Sequence, residues 1–148
     1  MATAQFGRVI TAMITPFTED GAVDYESAVA LAKHLVAHGS EGLLVGGTTG
    51  EGATMTAEEK LKLYTLIVDA VGKRGEGKKV PVMGNIGTIS TADTIAFGNK
   101  AKETGIDCAL VIVPFYVKPN QEGMYQHFTA VAKGVDLPLV LYNVPGRT

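Results

Sequence analysis

The chain has 148 residues, 46% of them hydrophobic, which is enough for one domain with a substantial core and leaves no case for disorder. Thirteen Lys and Arg against fifteen Asp and Glu give a net charge of -2 with no basic block, which argues against nucleic acid or an anionic membrane as partner and for a small-molecule ligand. No stretch approaches the roughly 18 apolar residues of a membrane span, and the opening MATAQFGRVI lacks the apolar run of a signal peptide, so a cytoplasmic protein is expected.

The first apolar run, RVITAMITPF, has strand length and ends in Thr15, Pro16 and Phe17. Asp24 then reads as the cap of a helix with Ala28, Leu31, Leu35 and Val36 at helical spacing, stopped by Gly39. EGLLVGGTTG is a second strand running into a turn of glycine and threonine. Thr56 and Glu59 make a capping-box pattern ahead of Leu61, Tyr64, Ile67 and Val71, with Gly72 closing. VPVMGNIG is a third strand, and Ser90 or Thr91 opens a helix that ends near Gly105. DCALVIVPFY is a fourth; Cys108 at its start is the sole cysteine and reads as a buried small hydrophobe. Asn120 opens a helix carrying Met124, Phe128 and Val131 up to Gly134, and LPLVLYNVP forms a fifth strand.

Strand and helix alternate throughout, and several strands run apolar without alternation, as parallel strands covered on both faces do. An open doubly wound sheet and a (β/α)8 TIM barrel compete for this pattern. The open sheet usually carries a phosphate fingerprint after an early strand, yet GGTTGEG has neither the G-x-G-x-x-G spacing nor a P-loop lysine. A barrel places its reactive residues at the C-terminal ends of several strands, and polar groups stand at those ends here. With about five strands and four helices, residues 1–148 are expected to be the N-terminal part of a single barrel domain, ending before the sixth strand and leaving the first and fifth strands with open edges.

The turn GGTTGEG reads equally as a binding loop for a small carboxylate and as a strand-to-helix turn with a capping threonine. Glu51 within it is either a surface carboxylate or a brace. Tyr116 and Tyr142 each follow a strand, on the same rim as Thr48, and a chain of such hydroxyls passes protons when they are held within hydrogen-bonding reach. Either tyrosine alone reads as an amphipathic core residue. Arg147 is a fork-shaped donor for a carboxylate, though a lone arginine is usually a solvated one. His34 and His38 are four apart on one helix with no cysteine or carboxylate cluster beside them, so they and His127 are expected to be exposed helix histidines and no metal is implied.

GTTGE after the second strand, PFY after the fourth and YNVPGRT after the fifth together resemble the dihydrodipicolinate synthase family, within the N-acetylneuraminate lyase superfamily of Schiff-base barrels. The resemblance runs from Phe6 to Thr148. It implies a lyase that condenses pyruvate with aspartate β-semialdehyde at the opening of the diaminopimelate and lysine pathway, without a cofactor. It also implies a homotetramer built from tight dimers. Thr48 and Tyr142 then match two members of a proton-relay triad, and Tyr116 matches the third, donated across a dimer interface. Thr49 matches the hydroxyl beside the pyruvate carboxylate, and Arg147 the arginine that orients the semialdehyde. The family's Schiff-base lysine lies on the sixth strand, beyond Thr148, so residues 1–148 are expected to be inactive alone. No lysine stands at a strand end in the same rim; Lys118 and Lys133 flank the fourth helix, and Lys78 and Lys79 precede the third strand at the opposite end.

The family's lysine-inhibited members use histidine, asparagine, glutamate and tyrosine at positions that align with Lys60, Ile89, Asp93 and Phe115, so the resemblance implies insensitivity to lysine. An aldolase for N-acetylneuraminate or a 2-keto-3-deoxy sugar acid shares the Schiff base and the tyrosine, but Arg147 directly after VPG favours the synthase. A non-catalytic half-barrel fragment is the alternative of another class.

Overall fold

In the computed structural model, which describes residues 6–148, each helix begins where a short polar side chain takes up a free backbone N–H. Asp24 accepts from the Ser27 N–H at 3.0 Å ahead of α1 (Tyr25–Ala37). Thr56 opens α2 (Ala57–Val71) with the full capping box: the Glu59 N–H donates to its hydroxyl at 3.2 Å, and its own N–H donates to the Glu59 carboxylate at 2.8 Å. Ser90 caps α3 (Thr91–Glu103), which settles the choice between Ser90 and Thr91, and Asn120 caps α4 (Gln121–Gly134). Gly39 and Gly105 lie just past α1 and α3 with φ of 109° and 90°, a conformation that costs a glycine nothing.

Between the helices run β1 (Ile10–Ala12), β2 (Gly42–Val45), β3 (Val82–Asn85), β4 (Cys108–Ile112) and β5 (Leu139–Tyr142). They form one sheet in the order β1-β2-β3-β4-β5, every neighbouring pair parallel. This order decides between the two architectures. A doubly wound sheet reverses direction at a switch point, whereas right-handed crossovers that always step the same way stack every helix on one face. The described residues form a half-barrel of five parallel strands and four helices.

Alternation along the strands sorts the side chains into two layers. Leu43, Val45, Val82, Ala109 and Val111 face the helices and join Ala28, Ala32, Leu63, Tyr64, Ile67 and Val68 in the main core. Met83, Cys108 and Leu110 face the other way in a smaller cluster edged by Leu44, Val140 and Tyr142. Cys108 is fully buried, as expected, and burial, with Asp107 beside it, pushes its thiol up to about 12. Among the described residues β1 and β5 each pair on one side only, and Ile10 and Leu141 stand exposed on them.

His34 and His38 are exposed on α1, as expected, but His127 is not. It is 4% exposed between α3 and α4, its Nδ1 hydrogen-bonded with the Thr91 hydroxyl at 2.8 Å. Met124, His127, Phe128 and Val131 occupy one stripe of α4 at helical spacing, so the imidazole turns inward with them. Burial lowers its pKa, and its Nε2 has no partner among the described residues.

Candidate active site

The turn after β2 is shaped by close backbone approach. The Glu51 N–H donates to the Thr48 carbonyl and the Gly52 N–H to the Gly47 carbonyl, both at 3.1 Å, while the Thr15 hydroxyl holds the Gly50 carbonyl at 2.7 Å from the end of β1. Two of the turn's N–H groups are thereby spent internally. Those of Thr48 and Thr49 have no acceptor among the described residues. A Cβ on Gly52 would overlap the Gly46 carbonyl oxygen, a backbone atom that cannot rotate away. Gly52→Ala is expected to lower the unfolding free energy by about 1–3 kcal/mol, read as a lower midpoint in urea; an unchanged midpoint would mean that the turn relaxes without cost.

Two residues that the sequence did not mark as belonging to a site position this turn. Tyr64 on α2 is fully buried, and its hydroxyl donates to the Asn85 carbonyl at 2.6 Å. Burial raises its pKa far above the ordinary phenol value, so it acts as a fixed donor. Asn85, at the end of β3, uses its side chain to donate to the Gly46 carbonyl at 3.0 Å and to accept from the Gly87 N–H at 3.2 Å. The ends of β2 and β3 are thus tied together. An asparagine closing an apolar strand was the available signal.

A cavity of about 700 Å³ opens beside these strand ends. Thr48, Glu51, Asn85, Tyr142 and Arg147 line it, so three of the five predicted site residues, brought by the β2 and β5 ends, meet in one space. Tyr142 is half-buried, with its ring on the smaller apolar cluster. Arg147 is exposed and forms no ion pair with any described residue. Its loop is held by the Thr148 hydroxyl, which bonds to the Asn143 side chain at 2.9 Å and the Val144 carbonyl at 3.0 Å. Glu51 has a φ of 53°, and its carbonyl accepts from the Thr54 N–H and hydroxyl, so its backbone braces the turn while the residue lines the cavity.

The other two site residues stand outside the lining. Thr49 is exposed on the same turn. Tyr116 is 90% exposed, with a φ of 70°, and the Val117 N–H donates to the Phe115 carbonyl across it at 2.9 Å. That is a γ-turn of the strained hand, unusual for a bulky residue, and it aims Phe115 into the cavity and Tyr116 away from it. Among the described residues, no hydrogen bond joins the hydroxyls of Thr48, Tyr116 and Tyr142. The cavity also holds a lysine: Lys60, on the first turn of α2 rather than at a strand end. Among the described residues there is no cluster of three metal-binding side chains, and no helix is long and apolar enough to cross a membrane.

A model of the dihydrodipicolinate synthetase family matches residues 5–148. The chain is 56% identical over 143 residues to the 4-hydroxy-tetrahydrodipicolinate synthase of Symbiobacterium thermophilum, an alignment that covers 97% of this chain and 47% of that protein. Among solved structures, that of the Cyanidioschyzon merolae dihydrodipicolinate synthase with lysine bound superposes with a TM-score of 0.90 at 46% identity, over 97% of this chain and 47% of that one. The chloride-inhibited dihydrodipicolinate synthase of Acinetobacter baumannii complexed with pyruvate gives 0.88 at 41% identity, over 95% and 46%. The chain spans about half the length of the relatives it matches, which are TIM barrels.

Proposed function

The chain belongs to the dihydrodipicolinate synthetase family, and from that premise we propose that it is the N-terminal part of a Schiff-base synthase that condenses pyruvate with aspartate β-semialdehyde in diaminopimelate and lysine biosynthesis. The observation that carries this reading is the convergence of Thr48, Tyr142 and Arg147 on one cavity from turns that lie far apart in sequence. Each supplies a different part of the chemistry. Pyruvate condenses with a lysine amine, losing water, and gives up a methyl proton to become an enamine. The enamine carbon then attacks the aldehyde, whose oxygen takes a proton as the new carbon–carbon bond forms. Tyr142 is the group we assign to those proton transfers, passing them to Thr48.

Carboxylate recognition divides between two places. The N–H groups and hydroxyls of Thr48 and Thr49 take the pyruvate carboxylate, and Arg147, without an ion-pair partner among the described residues, takes that of the semialdehyde. Tyr116 completes the relay of a second copy. Its 90% exposure and strained backbone suit a side chain held out for a neighbour, since strain of this kind persists where the surroundings over-determine it. The assembly we propose is therefore a cytoplasmic homo-oligomer in which Tyr116 crosses a dimer interface.

The reading is tested by joining residues 1–148 to the C-terminal half of the Symbiobacterium thermophilum relative and supplying pyruvate with either aldehyde class. Pyruvate consumption that depends on aspartate β-semialdehyde is expected. Preference for N-acetylmannosamine, the aldehyde of the N-acetylneuraminate aldolase reaction, would overturn the synthase in favour of a sugar-acid aldolase.

The same fusion is expected to ignore lysine. Lys60, Ile89 and Phe115 stand together in the cavity wall, so an approaching diamino acid meets a cation and two apolar side chains where its ammonium groups need acceptors. Each unpaired group costs roughly 1–3 kcal/mol, and together they weaken binding by orders of magnitude. Asp93, exposed in the first turn of α3, keeps a carboxylate one methylene shorter than the glutamate of the regulated pattern. Calorimetric titration should show no saturable heat in the millimolar range; a binding isotherm with matching inhibition would refute this.

A further inference from the structure

The turn that carries Thr48 and Thr49 leaves β2 through Gly46 and Gly47, neither of which has a side chain to anchor it. Its position therefore depends on what holds the glycine backbone. The Asn85 side chain, at the end of β3, donates from Nδ2 to the Gly46 carbonyl at 3.0 Å, and no other donor among the described residues reaches that oxygen. Gly52, at the far end of the turn, packs against the same oxygen so closely that no Cβ fits between them. Tyr64 closes in as well: a Cβ on Gly46 would stand 2.9 Å from its hydroxyl oxygen. The two ends of the turn thus meet at one carbonyl, and one side chain holds it.

Asn85 is fixed in its turn. Its own carbonyl accepts from the buried Tyr64 hydroxyl at 2.6 Å, and its side-chain Oδ1 accepts from the Gly87 N–H at 3.2 Å. With an acceptor matched on one side of the amide and a donor on the other, the group cannot flip without losing both bonds. A turn that must be ordered when its ligand arrives subtracts that cost from affinity, whereas one held beforehand does not. Removing the amide would also leave the Gly46 carbonyl without a donor. Asn85 itself lines the cavity, so the tether lies at the edge of the site it sets.

We propose that Asn85 is the positioning residue for the pyruvate half of the reaction: by holding Gly46 it fixes where Thr48 and Thr49 present their N–H groups and hydroxyls to the pyruvate carboxylate. This rests on the assignment of that turn to pyruvate made above. The semialdehyde half depends on another element. Arg147 stands on the loop after β5, which the Thr148 hydroxyl holds through Asn143 and Val144, and none of these residues bonds to Asn85. Loss of the tether therefore falls on the two substrates unequally. The pyruvate half loses the placement of Thr48 and Thr49 together, and the semialdehyde half feels only the shift of Thr48.

Asn85→Leu, which keeps the size and removes both polar atoms, tests this, with Asn85→Ala as the second variant should the leucine prevent folding. In the 148-residue chain, hydrogen exchange read by NMR is expected to quicken about tenfold or more at the Glu51 and Gly52 amides, whose bonds to the Thr48 and Gly47 carbonyls close the turn. The Ala109 amide, bonded to the Pro138 carbonyl between β4 and β5, should keep its rate. In the fusion with the C-terminal half of the relative, kcat/KM for pyruvate is expected to fall about tenfold or more and that for the semialdehyde far less. Unchanged exchange at Glu51 and Gly52, an undiminished kcat/KM for pyruvate, or equal losses for both substrates would each overturn the proposal. A parent fusion that forms an imine with pyruvate but rejects the semialdehyde sinks the synthase reading alone, and the pyruvate concentration for half-maximal borohydride trapping then reads the tether in its place. A parent fusion that forms no imine overturns both.

Discussion

Tyr142→Phe, introduced into the fusion of residues 1–148 with the C-terminal half of its Symbiobacterium thermophilum relative, is expected to lower kcat by roughly 10²–10⁴-fold while leaving KM for pyruvate nearly unchanged. Only the hydroxyl is removed. The ring, half-buried on the Met83, Cys108 and Leu110 cluster, keeps its packing, so the end of β5 stays in place. A hydroxyl that carries protons acts as charge develops in the transition state, whereas on the proposed assignment pyruvate in the ground state is held at the Thr48 and Thr49 turn. The loss therefore falls on kcat. Steady-state kinetics with pyruvate varied at saturating semialdehyde checks it. A kcat close to that of the parent fusion would assign Tyr142 to packing.

Borohydride added to the 148-residue chain with pyruvate should leave its intact mass unchanged. Trapping needs an imine, and an imine needs a neutral amine beside a group able to protonate the departing hydroxyl. Most of the chain's lysines lie away from the cavity. Lys78 and Lys79 hold the carbonyls of Val36 and Lys73 ahead of β3, Lys102 pairs with Asp136, and Lys133 is in the last turn of α4. Lys60 is the lysine in the cavity lining, and there its Nζ sits against Phe97 with no hydrogen bond to any acid. A pyruvyl adduct on Lys60, located by peptide mapping, would make that residue a nucleophile and overturn this expectation.

Helix starts, the alternation of strand and helix, and the barrel reading were legible in the sequence because they rest on local chemistry. A capping side chain lies three residues from the N–H it accepts, and an apolar run declares a strand without reference to its neighbours. Asp24, Thr56 with Glu59, and Asn120 all act as the sequence indicated. The polar strand ends at Thr48, Tyr142 and Arg147 were visible for the same reason, since a barrel collects what its strand ends carry.

What the tertiary structure alone decided concerns residues whose partners are distant in sequence. His127 is buried because α3 packs against its stripe of α4 and offers the Thr91 hydroxyl. Lys60 faces the cavity, and Tyr64, one turn on, pins Asn85, because the position of α2 over β2 and β3 turns the first towards the strand ends and the second into the core. Tyr116 leaves the cavity while Phe115 enters it because a single positive φ reverses the chain between them. Periodicity assigns a residue to a face, but what that face meets is set by the packing of whole elements, and so the charge inside the cavity could be recognised only once the helices were on the sheet.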